Sequence, residues 1–367
     1  MALRLKNYDK ISRMLSVRTE ARNIEARFEY AIVMHHSLHV HPNGDCYELS
    51  DSNIDLSEYL HDGDIITINE YGLIDKRYDN IDRDATVFIT GQCNSNCIMC
   101  PDSDAERQRN TGYSDEWLHR YVDMLPDNIC HLVVTGGEPT LRTKQFFEVM
   151  HMLAARFSEI ECLLLSNGRS LASKKIVDAL LEYCPPYLTV AIPIHGHTDS
   201  LHDSITRADG SFRQTCMGIK HLLARKVAVE IRVVVSKLNY RHLSDIAQFI
   251  VAEFPTATIV NFIGLETLGN CAKNLSTVFI DYMDSFPYIK DAQIILMKAG
   301  IDTSIYNYPL CTVERGFWAL CQRSITPSKV RYAAECEECD AKKYCSGFFG
   351  STLSVTKPKV HPIILGD

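Results

Sequence analysis

From about residue 85 onward, short apolar runs alternate with amphipathic stretches in a regular way. The runs Thr86–Thr90, His131–Thr135, Cys162–Leu165, Leu188–Ile192, Val229–Val235 and Thr258–Ile263 are predicted to be strands. Between and after them, residues 115–124, 144–155, 173–183, 211–224, 243–253 and 281–299 carry helical periodicity. Strand then helix, six times over, implies an α/β fold with a parallel sheet and right-handed crossovers. Six units fall short of an eight-stranded closed barrel, so the expectation is a partial (β/α)6 barrel or a doubly wound sheet. Either way, functional side chains belong at the carboxyl ends of the strands.

Residues 1–84 have a different texture. An early charged stretch reads as helical, and the short runs Tyr30–Val33 and Asp64–Ile68 are broken by Pro42-Asn43-Gly44 and Asp62-Gly63-Asp64. This predicts a small β-rich or α+β domain. Past residue 305 the alternation is lost and cysteines gather. The expected organisation is therefore 1–84, 85–305 and 306–367, without internal repeats or low-complexity tracts.

Composition narrows the class. Thirty-eight basic against 46 acidic residues leave a net charge of −8, which argues against a nucleic-acid partner. No apolar stretch approaches the length of a membrane span, and the start, Met1 to Tyr8, has no apolar signal core. These features lead us to expect a soluble, cytoplasmic protein. Fourteen cysteines are many for a reducing compartment, where they either pack as small apolar groups or bind metal.

Spacing separates the two kinds. The first predicted strand runs into Cys93-Asn94-Ser95-Asn96-Cys97-Ile98-Met99-Cys100, a C-x3-C-x2-C loop. Three thiolates on a four-iron cluster leave one iron open to a small molecule, whereas structural zinc sites close with four ligands. The second strand ends in Gly136-Gly137-Glu138-Pro139. Its two glycines let backbone approach a ligand closely, and Glu138 offers a carboxylate to an ammonium group.

These two motifs together resemble the radical S-adenosylmethionine (radical SAM) superfamily. The resemblance implies a partial TIM-type barrel, with Cys93, Cys97 and Cys100 as catalytic cluster ligands. It also implies that Gly136, Gly137 and Glu138 receive the cofactor's amino group. Asn167, in Leu165-Ser166-Asn167-Gly168, falls in the turn such proteins show at the third strand end. Met99 stands where the family usually has an aromatic residue against the adenine, and a thioether also packs on a ring. The implied chemistry is one-electron cleavage of S-adenosylmethionine to a 5′-deoxyadenosyl radical, which takes a hydrogen atom from the substrate. An external one-electron donor is implied with it.

Downstream, Cys336-Glu337-Glu338-Cys339 is followed by Cys345, and Cys311 stands within reach as a fourth ligand. Four thiolates suit either a fully ligated iron–sulfur cluster or a structural zinc. Beside the first motif we favour an auxiliary four-iron cluster. This extension resembles the SPASM or twitch-like cysteine regions of peptide-modifying radical enzymes. Residues 60–350 resemble the C-type radical SAM maturases of His-Xaa-Ser systems (HxsC), through Ile192–His197, Leu201–Asp203, Gly210–Thr215, Glu230–Val234, Gly264–Glu266, Ser304–Asn307 and the ending Glu335–Phe349. That implies a small ribosomally made peptide as substrate and a second radical SAM maturase as partner. A radical enzyme acting on a metabolite, and a non-catalytic zinc-binding module, are the rival readings.

Other candidates are weighed individually. His195, His197, His202 and Asp203 cluster after the fourth strand and suit a polar loop, with a metal site as the alternative. Arg232, charged within an apolar strand, suits either the cofactor's carboxylate or an ion pair. Glu266, just past the sixth strand, suits a ligand contact or a cap. Cys321 and the isolated Cys46, Cys130, Cys162, Cys184, Cys216 and Cys271 read as packing residues.

Overall fold

The structure is a computed structural model that describes residues 3–19, 28–51, 53–108, 113–325 and 329–364. Its first part is β-rich. Strands β1 (Leu3–Arg4), β2 (Arg13–Arg18), β3 (Tyr30–Met34), β4 (Ser37–His41), β5 (Asp45–Glu48), β6 (Ile65–Ile68) and β7 (Leu73–Tyr78) surround a core that includes Leu15, Val17, Leu38, Val40, Ile66 and Ile68. The β1 segment closes this sheet on itself. Arg4 pairs with Leu73 of β7, while Leu5 bridges Leu49 and Ser50 N donates to Arg4 O (2.7 Å). The early charged stretch is not helical where it is described, since Arg13–Arg18 is a strand. Residues 20–27 lie outside the described residues.

The alternating half follows as the sequence pattern predicts. Strands β8 (Asp84–Phe88), β9 (His131–Thr135), β10 (Cys162–Leu165), β11 (Leu188–Pro193), β12 (Ala228–Val234) and β13 (Ile259–Ile263) pair in parallel, each with the next. A seventh parallel strand, β14 (Asp302–Tyr306), extends the row, and β15 (Cys321–Gln322) adds two residues at its edge. Among the described residues β8 and β15 do not pair, so the barrel stays open. Tyr78 pairs with Ala85, which joins the two halves into one continuous sheet.

Period-two burial explains the layers. On β12, Val229, Ile231 and Val233 are fully buried in the core that includes the crossover helices, while Glu230, Arg232 and Val234 face into the barrel. Crossover helices include Asp115–Met124, Thr143–Arg156, Lys174–Tyr183, Ser211–Ala224, Leu243–Glu253 and Tyr282–Lys298. Among the shorter helices beyond the six predicted, Asp199–Thr206 is capped by Thr198 Oγ1. β14 escaped the pattern because Asp302, Thr303 and Ser304 break its apolar run. No described helix is long and apolar enough to cross a membrane.

At the carboxyl face, buried Asn239 ties two strand ends together. Its Nδ2 donates to His195 O (3.2 Å) and Val234 O (3.0 Å), and its Oδ1 accepts from Ser236 N (2.8 Å). Asn239→Ala strands these buried groups and is expected to cost about 2–3 kcal/mol, measured by urea denaturation.

Candidate functional site

The cysteine loop hangs from the end of β8 and is braced from both sides. Buried Arg107 donates to Ser95 O (3.1 Å) and pairs with Asp104 (2.9 Å). Arg169 reaches Asn94 O, and Asn167 Nδ2 donates to Asn94 Oδ1 (2.6 Å). Ser95 N points at Cys93 Sγ (3.4 Å). Apolar Ile98 and Met99 pack with Ile205, Leu265, Cys271 and Val278, which keeps the loop against the sheet end.

Cys93, Cys97 and Cys100 all line a cavity of about 500 Å³ at the carboxyl face. Met99, Gly136, Gly137, Asn167 and Arg232 line it too. Burial pushes the Cys97 thiol up to about 12, with repulsion from Cys100 and Cys93 adding to it, and burial pushes Cys100 up to about 11. The Arg107 guanidinium opposes these shifts, and three converging thiols are a donor set suited to a cationic iron–sulfur core.

Gly136 and Gly137 have a physical reason beyond ligand approach. A Cβ on Gly136 would stand 2.5 Å from Thr90 O, and one on Gly137 2.5 Å from Gln92 O. The backbone locks there, with Gly137 N donating to Thr90 O and Glu138 N to Gln92 O, both at 2.7 Å.

Glu138 has a different place from the one its motif suggested. Its side chain is fully buried and does not line the cavity. The carboxylate accepts from Thr140 Oγ1 (2.5 Å), Thr140 N (3.2 Å), Ser166 Oγ (3.0 Å) and Asn167 N (2.7 Å). With its oxygens so engaged, the groups left facing the cavity are the glycine backbone and Asn167. Burial raises the Glu138 carboxyl above its ordinary value, and these hydrogen bonds oppose that shift.

Arg232 does not make the helix-facing ion pair that was the alternative to a ligand contact. It faces the cavity, and its Nε donates to Glu230 Oε1 (2.6 Å) on the same strand. The four residues after the fourth strand separate. His195 and His202 are buried with ring centroids 5.5 Å apart, and burial holds them neutral, at about 3 and about 4. Asp203 caps the next helix, accepting from Gly210 N and Phe212 N at 2.7 Å, so no metal site forms from the four. His197 instead stands near His242 and Asp245. Glu266 lines the cavity and pairs with Lys329 (3.0 Å). Asn307, Ser324 and Phe349 also reach it; none of them has a site role from sequence alone, and nothing local marks Ser324.

Cys311, Cys336, Cys339 and Cys345 line a second, small cleft. Cys321 stays outside the cleft, its Sγ directed at Phe317 O (3.8 Å). Among the isolated cysteines, Cys162 and Cys271 are buried and Cys184 and Cys216 half-buried. Cys46 and Cys130 are exposed, because each sits at a strand edge or turn rather than on a packed face.

Residues 87–250 match the model of the Radical SAM superfamily. The subtilosin biosynthesis protein AlbA of Bacillus subtilis is 29% identical over 165 residues, covering 45% of this chain and 36% of that one. The sporulation killing factor maturation protein SkfB of the same organism is 24% identical over 163 residues, covering 44% and 38%. The chain thus spans little more than a third of the length of these relatives. Among solved structures, Streptococcus suis SuiB bound to S-adenosylmethionine matches with a TM-score of 0.48 at 12% identity, over 63% of this chain and 51% of that one.

Two outcomes test the geometry. Gly137→Ala forces the cysteine loop away from β9 and is expected to weaken S-adenosylmethionine binding at least about tenfold, equivalent to about 1.4 kcal/mol, by equilibrium dialysis. Glu138→Gln places an amide donor among four donors and is expected to lower stability by about 1–3 kcal/mol, read by thermal denaturation before any cofactor is added.

Proposed function

We propose that this protein is a radical SAM enzyme that modifies a ribosomally made peptide. The observation that carries the reading is the single cavity onto which Cys93, Cys97, Cys100 and the Gly136-Gly137 backbone all open. A [4Fe-4S] cluster with S-adenosylmethionine bound there supplies a carbon-centred radical able to take hydrogen from an unactivated C–H bond. The chain's own residues hold and orient. The three thiols ligate three irons, the Gly-Gly backbone receives the methionyl ammonium, and Arg232 offers its outer guanidinium nitrogens to a carboxylate. Met99, buried at the cavity wall, packs on the adenine. Glu138 acts as a positioning residue for that backbone rather than as a ligand.

The peptide substrate is supported by what the curated relatives are named for, a bacteriocin's biosynthesis and a killing factor's maturation. Sequence similarity along residues 60–350 narrows our reading to the His-Xaa-Ser type, with a partner radical SAM maturase and an external one-electron donor. Cys311, Cys336, Cys339 and Cys345 are read as ligands of an auxiliary four-iron cluster, because they line one cleft in a chain that already carries the C-x3-C-x2-C motif. The units 1–84, 85–305 and 306–367 are read as a small β-rich N-terminal domain, the catalytic core and the auxiliary-cluster region. With all fourteen cysteines free thiols, we read the protein as cytoplasmic.

Metal analysis of anaerobically reconstituted protein tests this directly. About eight irons per chain are expected, falling to about four in a Cys93/Cys97/Cys100→Ala variant. Cys97→Ala is expected to abolish S-adenosylmethionine cleavage while leaving the C-terminal iron in place. One zinc and no iron in the wild type would overturn the enzyme reading. Incubation with peptides carrying His-Xaa-Ser repeats, beside scrambled controls, should give a mass change in the former alone.

A further inference from the structure

The C-terminal thiol cleft is closed over by a later stretch of the same chain. His361 and Ile363 line the cleft beside the four cysteines. Ile363 N donates to Cys339 Sγ (3.3 Å), and Asp340 N donates back to Ile363 O (2.9 Å). A backbone hydrogen bond from His361 reaches Cys311. The start of this stretch is fastened elsewhere. Lys359 N donates to Asp281 Oδ2 (2.9 Å), and Lys359 Nζ pairs with Asp284 (2.6 Å), both at the first turn of helix Tyr282–Lys298. From beneath, Leu310 N and Gly347 N both point at Cys345 Sγ, at 3.3 and 3.4 Å.

Backbone donors differ from hydroxyls in that they cannot rotate away from the sulfur. An N–H aimed at a ligating thiolate stabilises negative charge on that sulfur. Reduction of an iron–sulfur cluster adds negative charge, so each such bond favours the reduced form and raises the potential. Leu310 and Gly347 belong to the ligand-bearing segments themselves. His361 and Ile363 do not, being 16 and more residues beyond the last cysteine of the cleft.

We propose that residues 359–363 form a strap that sets the reduction potential of the group held by Cys311, Cys336, Cys339 and Cys345, acting through the backbone N–H groups of His361 and Ile363. This rests on the reading that these thiols hold an iron–sulfur cluster. The strap is a positioning element and contacts neither substrate nor S-adenosylmethionine.

Proline at a donor position removes the N–H and leaves the chain in place, which gives the test. Ile363→Pro and His361→Pro are made beside Ile363→Ala, which keeps the N–H, all in the Cys93/Cys97/Cys100→Ala background so that one site is read. Iron is counted first, and the potential is then titrated with visible absorbance and electron paramagnetic resonance. The expected result is about four irons in each protein, a more negative potential in both proline variants, and an unshifted one in Ile363→Ala. Loaded proline variants that titrate with the parent potential would overturn the strap and leave the cluster standing. A parent that binds one zinc and no iron would instead overturn the cluster reading. If a proline variant does not load, Lys359→Pro decides the matter, since it frees the far end without touching a thiol. A shifted potential and several-fold faster bleaching in air support the strap, and parent values for both overturn it.

Discussion

The buried carboxylate of Glu138 is the knot on which the carboxyl face depends. Its backbone N–H holds Gln92 O at the root of the cysteine loop, and its side chain holds Ser166 and Asn167 at the end of β10. Three consecutive strand ends are thereby fixed to one another through a single residue. Asn167 passes the constraint on, since its Nδ2 reaches Asn94 within the cysteine loop. An acidic side chain with no access to solvent is tolerated because four donors surround it. Gly136 and Gly137 complete the arrangement by having no Cβ where two backbones lie in contact. The motif thus reads as an architectural device first, and the surface it leaves exposed is backbone.

The same logic of exchange between wall and cavity runs around the sheet. On β12 the odd-numbered residues are apolar and packed, whereas Glu230 and Arg232 spend their charge inside the barrel. Pairing within one strand keeps the guanidinium from being an isolated charge, while its position keeps it available to the cavity. Asn239 does for β11 and β12 what Glu138 does for the first three strands. Rigid strand ends, rather than long loops, therefore define the geometry of the site.

Much of this was legible in the sequence because it was local. The C-x3-C-x2-C spacing brings three thiols together within one loop, and the apolar runs from β8 to β13 announce themselves by composition. β14 was hidden because the face it turns inward is polar, as Ser304 illustrates. Glu138 carries the family motif yet turns away from the ligand side, and only the positions of Thr140, Ser166 and Asn167 reveal why. Asp203 and His202 are adjacent in sequence but serve a cap and a buried ring pair, since neighbours on the helix Asp199–Thr206 point about 100° apart. Asn307 and Ser324, joined by hydrogen bonds at the cavity rim, come from beyond the repeating pattern. No period predicts them.

The two cysteine sets differ in how much chain must be gathered to complete them. Cys93 to Cys100 is a short loop whose ends meet at little entropic cost, and Asn167, Arg169, Leu265 and Cys271 then brace it. The second set spans Cys311 to Cys345 and is shut by a stretch that reaches Ile363. Its cleft exists only once the sheet, the helix Tyr282–Lys298 and the strap have all docked. The first three thiols are therefore kept near one another by the chain itself, whereas the second four meet only when distant segments have been brought together.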